Sequence, residues 1–352
     1  MGSAPPSFVT AFAPGRINLI GEHTDYNDGL ALAFAISQGV NVTVTPAHDG
    51  QISARALNLG EQDRFAPEDL TPVTGWRAYV RGALAELGLQ GLTVPPARLE
   101  ISGDLPICAG LSSSAALEVA LLMALLEFTG ASSADPVWLA QLGQRIEHRW
   151  AGAQTGLLDQ LASLTGRSGH ATLIDFRGPT LTAVPLELCG HRLVILDSGV
   201  RHTHADSGYN LRRHECAQAA HRAGAEALRD VVIQDLHVLP EPLRGRAQHV
   251  ITENDRVLQA VACLKRGDME HLGRLLDLSH TSLRDQFSVS VPEVEETVDR
   301  LKAAGALGAR MIGGGFGGSV LALMPPGASA PPGAIEVQPG PGARLLAGPD
   351  AQ

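Results

Sequence analysis

Apolar positions in the first third of the chain recur in short runs and alternations that are typical of β-strands. They predict strands at Val9–Phe12, Leu30–Ile36, Val40–Thr45 and Arg98–Ser102. The first strand is followed by Pro14 and Gly15, so a loop is expected to begin there. The strand at 30–36 is almost wholly apolar, which predicts that it is buried.

Helical spacing, with apolar positions three or four residues apart, dominates the rest of the chain. The strongest helix is predicted at Ser113–Phe128, and the next, Pro136–Trp150, begins after Asp135 as its N-cap. Further helices are predicted at Trp76–Leu87, Leu157–Leu164, Tyr209–Leu228, Val250–Lys265, Met269–Ser282 and Val291–Ala304. Later strands are predicted at Arg192–Leu196, Ser319–Met324 and Ala334–Val337.

Length and composition suit a globular enzyme of two ordinary domains or of one large domain. The chain has 352 residues, of which 44% are hydrophobic and 18% are charged. The composition shifts near residues 178–190, so we expect an N-terminal lobe at 1–185 and a C-terminal lobe at 186–352.

Charge and composition also exclude several classes of partner. A net charge of −10 and an aromatic content of 4% argue against nucleic-acid binding. The N-terminal residues MGSAPPSF do not read as a secretion signal, and the most apolar stretch, around residues 115–128, is too short to span a membrane. We therefore expect a cytoplasmic protein with no nucleic-acid or membrane partner, and we expect a monomer.

The first chemical motif is PGRINLIGEHTDY, residues 14–26, which concentrates polar side chains behind a glycine-bearing turn. Three interpretations are open: a solvated loop, a metal site formed by Glu22, His23 and Asp25, or a surface that binds hydroxyl groups. The spacing is not that of a helical HExxH zinc site. Carboxylates accept hydrogen bonds from sugar hydroxyls, while histidine donates or accepts, so the cluster suits a polyol.

Two further motifs are rich in small residues. Residues 105–116, LPICAGLSSSAA, lead into the helix predicted from Ser113, where free N–H groups would form an anion site or simply a helix cap. Residues 313–318, GGGFGG, formally match GxGxxG, but an apolar strand follows them instead of a helix, which argues against dinucleotide binding. Such a run lets the main chain approach a ligand, or it forms a tight hairpin.

The fourth motif is a pair of acidic residues that flank a glycine-containing loop. Glu147 lies near the end of a predicted helix, and Asp159 follows the loop at 151–156. The loop could bring both carboxylates to one cleft, although each of them alone is also typical of a solvated surface.

In this order, the four motifs resemble those of the galacto-, homoserine, mevalonate and phosphomevalonate (GHMP) kinase superfamily. GRINLIGEHTDYN resembles the sugar-binding signature of the galactokinase family within it, and SGYNLRRHEC, residues 207–216, resembles the family's S-x-Y-x-x-R-R segment. The similarity covers about residues 9–324. It implies an α+β, two-lobed fold of mixed sheets packed with helices, with a ferredoxin-like C-terminal lobe and the active site in the cleft between the lobes. One departure is PPGASAPPG, residues 325–333, where family members usually place a helix.

The resemblance also implies an activity, the transfer of the γ-phosphoryl group of ATP to the anomeric C1 hydroxyl of galactose. Asp159 would face that hydroxyl beside Arg16, either as a general base or as a group that orients it. The resemblance implies that the sugar is held by Glu22, His23, Asp25, Gly156 and Tyr209. It implies that ATP is bound by Gly110, Leu111, Ser112, Ser113 and Ser114, with Trp76 near the adenine, and that Mg²⁺ is held by Ser114 and Glu147.

Two alternatives remain open at this level. A kinase for N-acetylgalactosamine or arabinose would carry the same signature, because one pocket wall near C2 of the sugar decides between these substrates. A sensor that binds ATP and sugar without catalysis is the other alternative. Family members of that kind shorten the phosphate loop, whereas the segment from Ser112 to Ala116 is intact here.

Overall fold

The structure, a computed structural model, describes residues 8–105, 110–131, 135–200 and 205–346. Its strands are β1 Val9–Ile20, β2 Leu30–Pro46, β3 Ile52–Ala56, β4 Glu61–Phe65, β5 Ala97–Gly103, β6 His170–Asp175, β7 Thr180–Pro185, β8 Arg192–Asp197, β9 Gly308–Met311, β10 Ser319–Met324, β11 Ile335–Val337 and β12 Arg344–Leu346. Its α-helices are α1 Trp76–Leu89, α2 Ser113–Phe128, α3 Pro136–Ile146, α4 Leu158–Thr165, α5 Ala205–Arg222, α6 Leu243–Arg266, α7 Met269–Asp285 and α8 Pro292–Ala303.

The strands form two sheets. The first has eight strands in the order β12-β1-β2-β5-β3-β4, with β6 pairing to β2 and β7 pairing to β6. Its pairs are antiparallel except for β3 and β5, which are parallel. The long strand β2 pairs with β1 on one side and, on the other, with β5 at residues 40–46 and with β6 at residues 30–33. This sheet therefore holds both ends of the segment that carries the first motif.

The second sheet has four antiparallel strands in the order β11-β8-β10-β9. This is the strand order of a split βαβ unit, because β8 and β9 are parallel to each other and the later strand β10 lies between them. No helix occurs in residues 325–334, so β10 leads to β11 through turns alone, as the PPGASAPPG segment led us to expect. The fold is therefore mixed, with two sheets, and α7 and α8 pack on the smaller one.

The helix α2 forms the centre of the N-terminal core. Twelve of its residues are buried, and it packs against β1, β2, α1, α3 and α4. It is apolar on most sides because most of its surface is covered, and the predicted bounds Ser113–Phe128 are confirmed. A second core lies between the two sheets and joins side chains of β1, β2, α6, α7, β8 and β10. Because α6 contacts both β1 and β2, it links the two halves of the molecule.

Several sequence expectations are wrong in detail. The loop expected at Pro14 does not form, because β1 continues through a register shift as far as Ile20. The two strands expected at 30–36 and 40–45 are one strand, β2. The helix expected to reach Trp150 ends at Ile146 and is followed by a π-helical turn, Glu147–Ala151. Strands β3, β4, β6, β7, β9 and β12 were not predicted.

The extent of the two predicted domains stays a prediction. The boundary expected after residue 185 falls between β7 of the larger sheet and β8 of the smaller one. Strand β12, which comes from the C-terminal part of the chain, returns to the larger sheet and pairs with β1. Across the residues described, no helix combines the length and the apolar character needed to cross a membrane.

Candidate active site

A pocket of about 190 Å³ opens where the connection between β1 and β2 meets the glycine-rich turn before β10. We call that connection, residues 21–29, the signature loop. The pocket is lined by Arg16, Glu22, His23, Asp25, Ala153, Thr155, Gly156, Leu158, Asp159, Tyr209, Asn210, Gly313, Gly314 and Gly315. These residues come from both halves of the chain, so the pocket lies in the cleft between them.

Glu22 is buried, with 3% of its surface exposed, yet its carboxylate is well supplied with donors. Its Oε1 accepts a hydrogen bond of 2.8 Å from the backbone N–H of Gly313 and lies 3.4 Å from Nη2 of Arg310. Arg310 is itself fully buried on β9 and donates to the carbonyl oxygens of Asn18 and Leu19. The glycine-rich turn and β9 therefore hold the carboxylate in place, and they come from the far end of the sequence.

His23 forms an aromatic wall of the pocket. Its ring centroid lies 5.3 Å from that of Tyr209 and 4.6 Å from that of Phe287, and its Nδ1 lies 2.7 Å from the hydroxyl of Tyr26. Burial, followed by the nearby His249 and Arg212, lowers the pKa of His23 well below its ordinary value, so the ring is neutral at neutral pH. Its Nε2 is buried without a hydrogen-bond partner among the described residues, which leaves it able to bond a hydroxyl of a ligand.

Asp25 faces two other acidic groups across the pocket. Burial, together with the charges of Asp159 and Glu22, raises the pKa of Asp25 to about 7. Gly156 lies against it so closely that a Cβ at that position would come within 1.8 Å of Asp25 Oδ2. Only glycine fits there, which explains why this loop position has no side chain.

Asp159 lies in the first turn of α4 and makes an ion pair with Arg16 of β1. Its Oδ1 accepts from Arg16 Nε at 2.7 Å and lies 2.6 Å from Arg16 Nη2, and its Oδ2 accepts from the hydroxyl of Ser112. The remaining guanidinium nitrogen, Nη1, donates to the carbonyl oxygen of Gly110 at 2.5 Å. One arginine therefore joins the carboxylate in the pocket to the segment that precedes α2.

Residues 110–114 turn the chain into the N-terminus of α2. Gly110 and Ser112 both have left-handed backbone angles, with φ of 99° and 56°, and the side chain of Ser112 does not cap the helix. Leu111 is buried, and its carbonyl oxygen accepts from the backbone N–H of Arg16 at 3.2 Å, while Ser113 is exposed. With no side-chain cap, the first N–H groups of α2 remain available to an anion beside the pocket. Residues 106–109 of this motif lie outside the described residues.

A cluster of oxygen ligands lies beneath this helix N-terminus. Glu147 is buried in the π-helical turn; its Oε1 accepts from the hydroxyl of Ser114 at 3.1 Å, and its Oε2 accepts from Thr155 and from Gln160 Nε2. Burial raises the pKa of Glu147 to about 7, even though these donors act in the opposite direction. A buried carboxylate next to a hydroxyl is a hard-oxygen donor set that a divalent cation would neutralise, so Ser114 and Glu147 fit the expected Mg²⁺.

Trp76 lies apart from this pocket, at the first position of α1. Its indole N–H donates to Glu61 Oε2 at 2.9 Å, the guanidinium of Arg77 lies 5.0 Å from its ring, and its side chain packs against the N-terminal core. These contacts account for the side chain without a ligand, and its role near adenine stays a prediction.

Three family models match the chain in the expected order. A galactokinase galactose-binding signature matches residues 1–46, a GHMP kinases N terminal domain matches 78–167 and a GHMP kinases C terminal domain matches 260–332. The galactokinase of Mycobacterium tuberculosis H37Rv is 46% identical over 325 residues, which is 90% of this chain and 89% of that protein. The galactokinase of Thermotoga neapolitana is 42% identical over 317 residues, with the same coverage.

The chain belongs to the galactokinase family. The crystal structure of Lactococcus lactis galactokinase complexed with galactose superposes with a TM-score of 0.89 at 30% identity, covering 96% of this chain and 95% of that one. Methanococcus jannaschii mevalonate kinase shares the fold at 15% identity, with a TM-score of 0.63. The predicted GHMP-kinase fold is confirmed, and family membership makes the protein an ATP-dependent sugar kinase.

The structure brings together most residues that the sequence singled out. The pocket unites Arg16, Glu22, His23, Asp25, Gly156, Asp159 and Tyr209, while Gly110, Ser112, Ser114 and Glu147 surround the adjoining helix N-terminus. Sequence reasoning missed Arg310 and Thr155. The sequence does contain a signal for Arg310, because it is a charged residue in the otherwise apolar run before the glycines. Nothing in the sequence distinguishes Thr155 in this way.

Proposed function

We propose that this protein is a galactokinase that phosphorylates the anomeric C1 hydroxyl of galactose with ATP. The observation that carries the proposal is the position of Arg16. Its guanidinium bonds Asp159 in the pocket on one side and the carbonyl oxygen of Gly110 on the other. A sugar in the pocket and a phosphate at the N-terminus of α2 would therefore meet at this one cation.

The pocket offers the groups that a polyol needs. The carboxylates of Glu22, Asp25 and Asp159 accept hydrogen bonds from hydroxyls, and the free Nε2 of His23 adds one more polar contact. The ring of Tyr209 lies beside His23 and gives the apolar faces of a sugar a surface to pack on. We propose that Glu22, His23, Asp25, Gly156 and Tyr209 form the substrate site.

The phosphate groups of ATP would lie on the first N–H groups of α2, with Gly110, Leu111, Ser112, Ser113 and Ser114 forming the turn around them. Ser114 and Glu147 would hold Mg²⁺. When bound, this ion neutralises charge on the phosphate oxygens. Thr155 and Gln160 donate to the carboxylate of Glu147, so they hold it toward Ser114 in one orientation.

In the reaction, the C1 oxygen forms a bond to the γ-phosphorus while the bond from that phosphorus to the β-γ bridging oxygen breaks, and ADP leaves. The hydroxyl proton is lost as the new bond forms. Asp159 accepts bonds from Arg16 and Ser112, so its carboxylate is fixed at the edge of the pocket. We propose that Asp159 mainly orients the hydroxyl and receives its proton late, while Arg16 stabilises charge on the transferring group.

The deciding experiment compares galactose, N-acetylgalactosamine and arabinose at equal concentration, with ADP release and the phosphorylated product both measured. We expect galactose to give the highest kcat/KM. A higher value for either other sugar would replace the proposed substrate. Binding of galactose and ATP without ADP release would instead indicate a sensor. A monomeric state and a cytoplasmic location stay predictions.

A further inference from the structure

The signature loop has a backbone that its own sequence does not favour. Gly21, His23 and Asp28 have positive φ values of 107°, 61° and 55°. Left-handed angles at residues other than glycine are costly, and they persist where the surrounding structure fixes them. The loop also carries Glu22, His23 and Asp25, which face the pocket. Whatever holds this backbone therefore also sets the positions of those side chains.

One face of α6 makes three long-range side-chain bonds at the two ends of this loop, in addition to the bond from Arg229 to the carbonyl oxygen of Asp28. Glu253 Oε1 accepts from the backbone N–H of Gly21 at 3.0 Å, and Asn254 Oδ1 accepts from the backbone N–H of Leu30 at 2.8 Å. His249 Nε2 lies 3.1 Å from the carbonyl oxygen of Glu22. We call His249, Glu253 and Asn254 the α6 face.

The residues of the α6 face are in turn held by other side chains of α6 and α7. Glu253 accepts from Ser279 Oγ at 2.6 Å and from Arg256 Nε at 2.6 Å, and His249 Nδ1 lies 2.8 Å from Ser282 Oγ. His249 and Glu253 are fully buried. Burial raises the pKa of Glu253, but Arg256 and its other partners outweigh burial and lower the pKa to about 2, so the acceptor for Gly21 is a carboxylate.

Asn254 has a second contact that makes its role specific. A Cβ at Gly29 would lie 2.6 Å from Asn254 Oδ1, so the loop passes directly over this side chain. Of the three residues, Asn254 carries no charge and is 9% exposed. It is therefore the position where one bond to the loop can be removed with the least disturbance of the core.

We propose that the α6 face consists of positioning residues that set the affinity of the pocket for its sugar by holding the signature loop in its binding geometry. This inference rests on the proposed sugar site. The ATP side receives no hydrogen bond from α6 among the described residues, because residues 110–114 and Glu147 bond to side chains of the N-terminal half. Loss of a bond from α6 should therefore weaken sugar binding and leave nucleotide binding unchanged.

The test is Asn254→Ala, with galactose and ATP kinetics and with calorimetric binding of galactose in the absence of nucleotide. A buried N–H left without its acceptor predicts a rise of about 5- to 50-fold in both the KM and the Kd for galactose. The KM for ATP and kcat at saturating galactose should stay near the wild-type values. Asn254→Asp keeps an oxygen acceptor at the same position and should restore most of the affinity.

Gln259→Ala is the matched control, because it removes an exposed amide side chain from the same helix. It should leave both KM values unchanged. A second measurement is hydrogen exchange, in which the amides of Gly21 and Leu30 should exchange faster in Asn254→Ala while those of α2 do not. If Asn254→Ala fails to fold, Asn254→Ser serves in its place, since its shorter side chain does not reach the loop.

A variant with normal galactose affinity but a lower melting temperature would overturn the proposal, because the α6 face would then be purely structural. An equal rise in the KM for galactose and for ATP would overturn it as well. If wild-type protein prefers another sugar, the proposed substrate fails, but the same comparison made on that sugar still decides the role of the α6 face.

Discussion

The two sides of the active site are built in different ways. On the phosphate side, Ser114 and Glu147 are 33 residues apart and belong to neighbouring helical segments of one half. On the sugar side, Glu22 bonds Gly313 across 291 residues and its carbonyl oxygen meets His249 across 227. The hydrogen bonds of the phosphate side therefore lie within the N-terminal half, although its Leu111 packs in the core between the two sheets. Those of the sugar side form only when the C-terminal half packs against it.

The electrostatics of the two sides differ as well. The sugar side combines a neutral His23 with three carboxylates, and their mutual repulsion adds to burial in raising the pKa of Asp25. The phosphate side offers the positive end of α2 and, beside it, Glu147, whose charge a cation would neutralise. The buried Glu118 shares the side-chain amide of Gln160 with Glu147. One side is thus suited to neutral hydroxyls and the other to bound anions with a metal, and Arg16 lies where they meet.

The largest expected effect is at the ion pair of Arg16 and Asp159, where the two sides of the active site meet. Asp159→Asn keeps the shape of the side chain but removes the charge that faces Arg16, and we expect kcat to fall by at least about 100-fold. Separate binding of galactose and of an ATP analogue should largely survive, which equilibrium titration would measure. Asp63→Asn breaks another largely buried pair, with Arg81, away from the pocket, and should lower the melting temperature without this loss of kcat. Near-normal turnover in Asp159→Asn would remove Asp159 from the mechanism.

A smaller effect is expected on the phosphate side alone. Glu147→Gln removes the proposed cation ligand's charge, so kcat/KM for MgATP should fall by about 10- to 100-fold while the KM for galactose stays the same. Binding of Mn²⁺ in the presence of ADP, followed by electron paramagnetic resonance, should weaken in parallel. Glu127→Gln, an exposed acid on α2, is the control and should change neither quantity. A change in galactose KM equal to that for MgATP would contradict the separation of the two sides.

The third expected effect is on stability instead of rate, as a pH dependence on the sugar side. Because the pKa of Asp25 is 3.8 in its ordinary state and about 7 in the fold, the folded protein retains this proton where the unfolded chain has lost it. The free energy of unfolding should therefore fall as pH rises between these two values. Asp25→Asn removes this contribution, so the variant should gain stability over the wild type through this range and keep a constant advantage above it.

Urea denaturation at a series of pH values without ligand measures the effect at Asp25, and Asp299→Asn on the exposed side of α8 is the control. The control should show the same pH profile as the wild type. If the free energies of unfolding of Asp25→Asn and wild type differ by the same amount at every pH between 4 and 7, the pKa of this residue is not raised. Affinity for galactose should fall in Asp25→Asn even where its stability is higher.

Local sequence was sufficient to predict an element where the residues at its two ends mark its limits. The helix α2 is a continuous apolar run between Ser112 and the Thr129–Gly130 end, and the prediction matched both limits. Strand β10 was equally clear because five of its six residues are apolar and all six are buried. Strand β4, with the sequence EQDRF, is mostly polar and lies at the edge of the sheet, so only its pairing with β3 reveals it.

Strand β1 shows the opposite case. Its second half carries Arg16 and Asn18 and follows Pro14-Gly15, which are signals of a loop, yet both side chains are buried and the strand pairs with β2. Pairing with β2 outweighs the local turn signal, because an unpaired backbone in that buried position would cost several hydrogen bonds. The same contact with β2 places Arg16 beside Asp159.

The sequence by itself determined the family and predicted which residues carry the chemistry. Glu22, His23, Asp25, Asp159 and Arg16 lie in motifs whose residue types suit hydroxyls and phosphates, and the family followed from them. The tertiary structure alone decided that Arg310 would hold Glu22, that burial would raise the pKa of Asp25 and that α6 would bond the signature loop. Residue type and local propensity act over a few positions, whereas burial and the pairing of charges depend on segments that meet only when the two halves pack together.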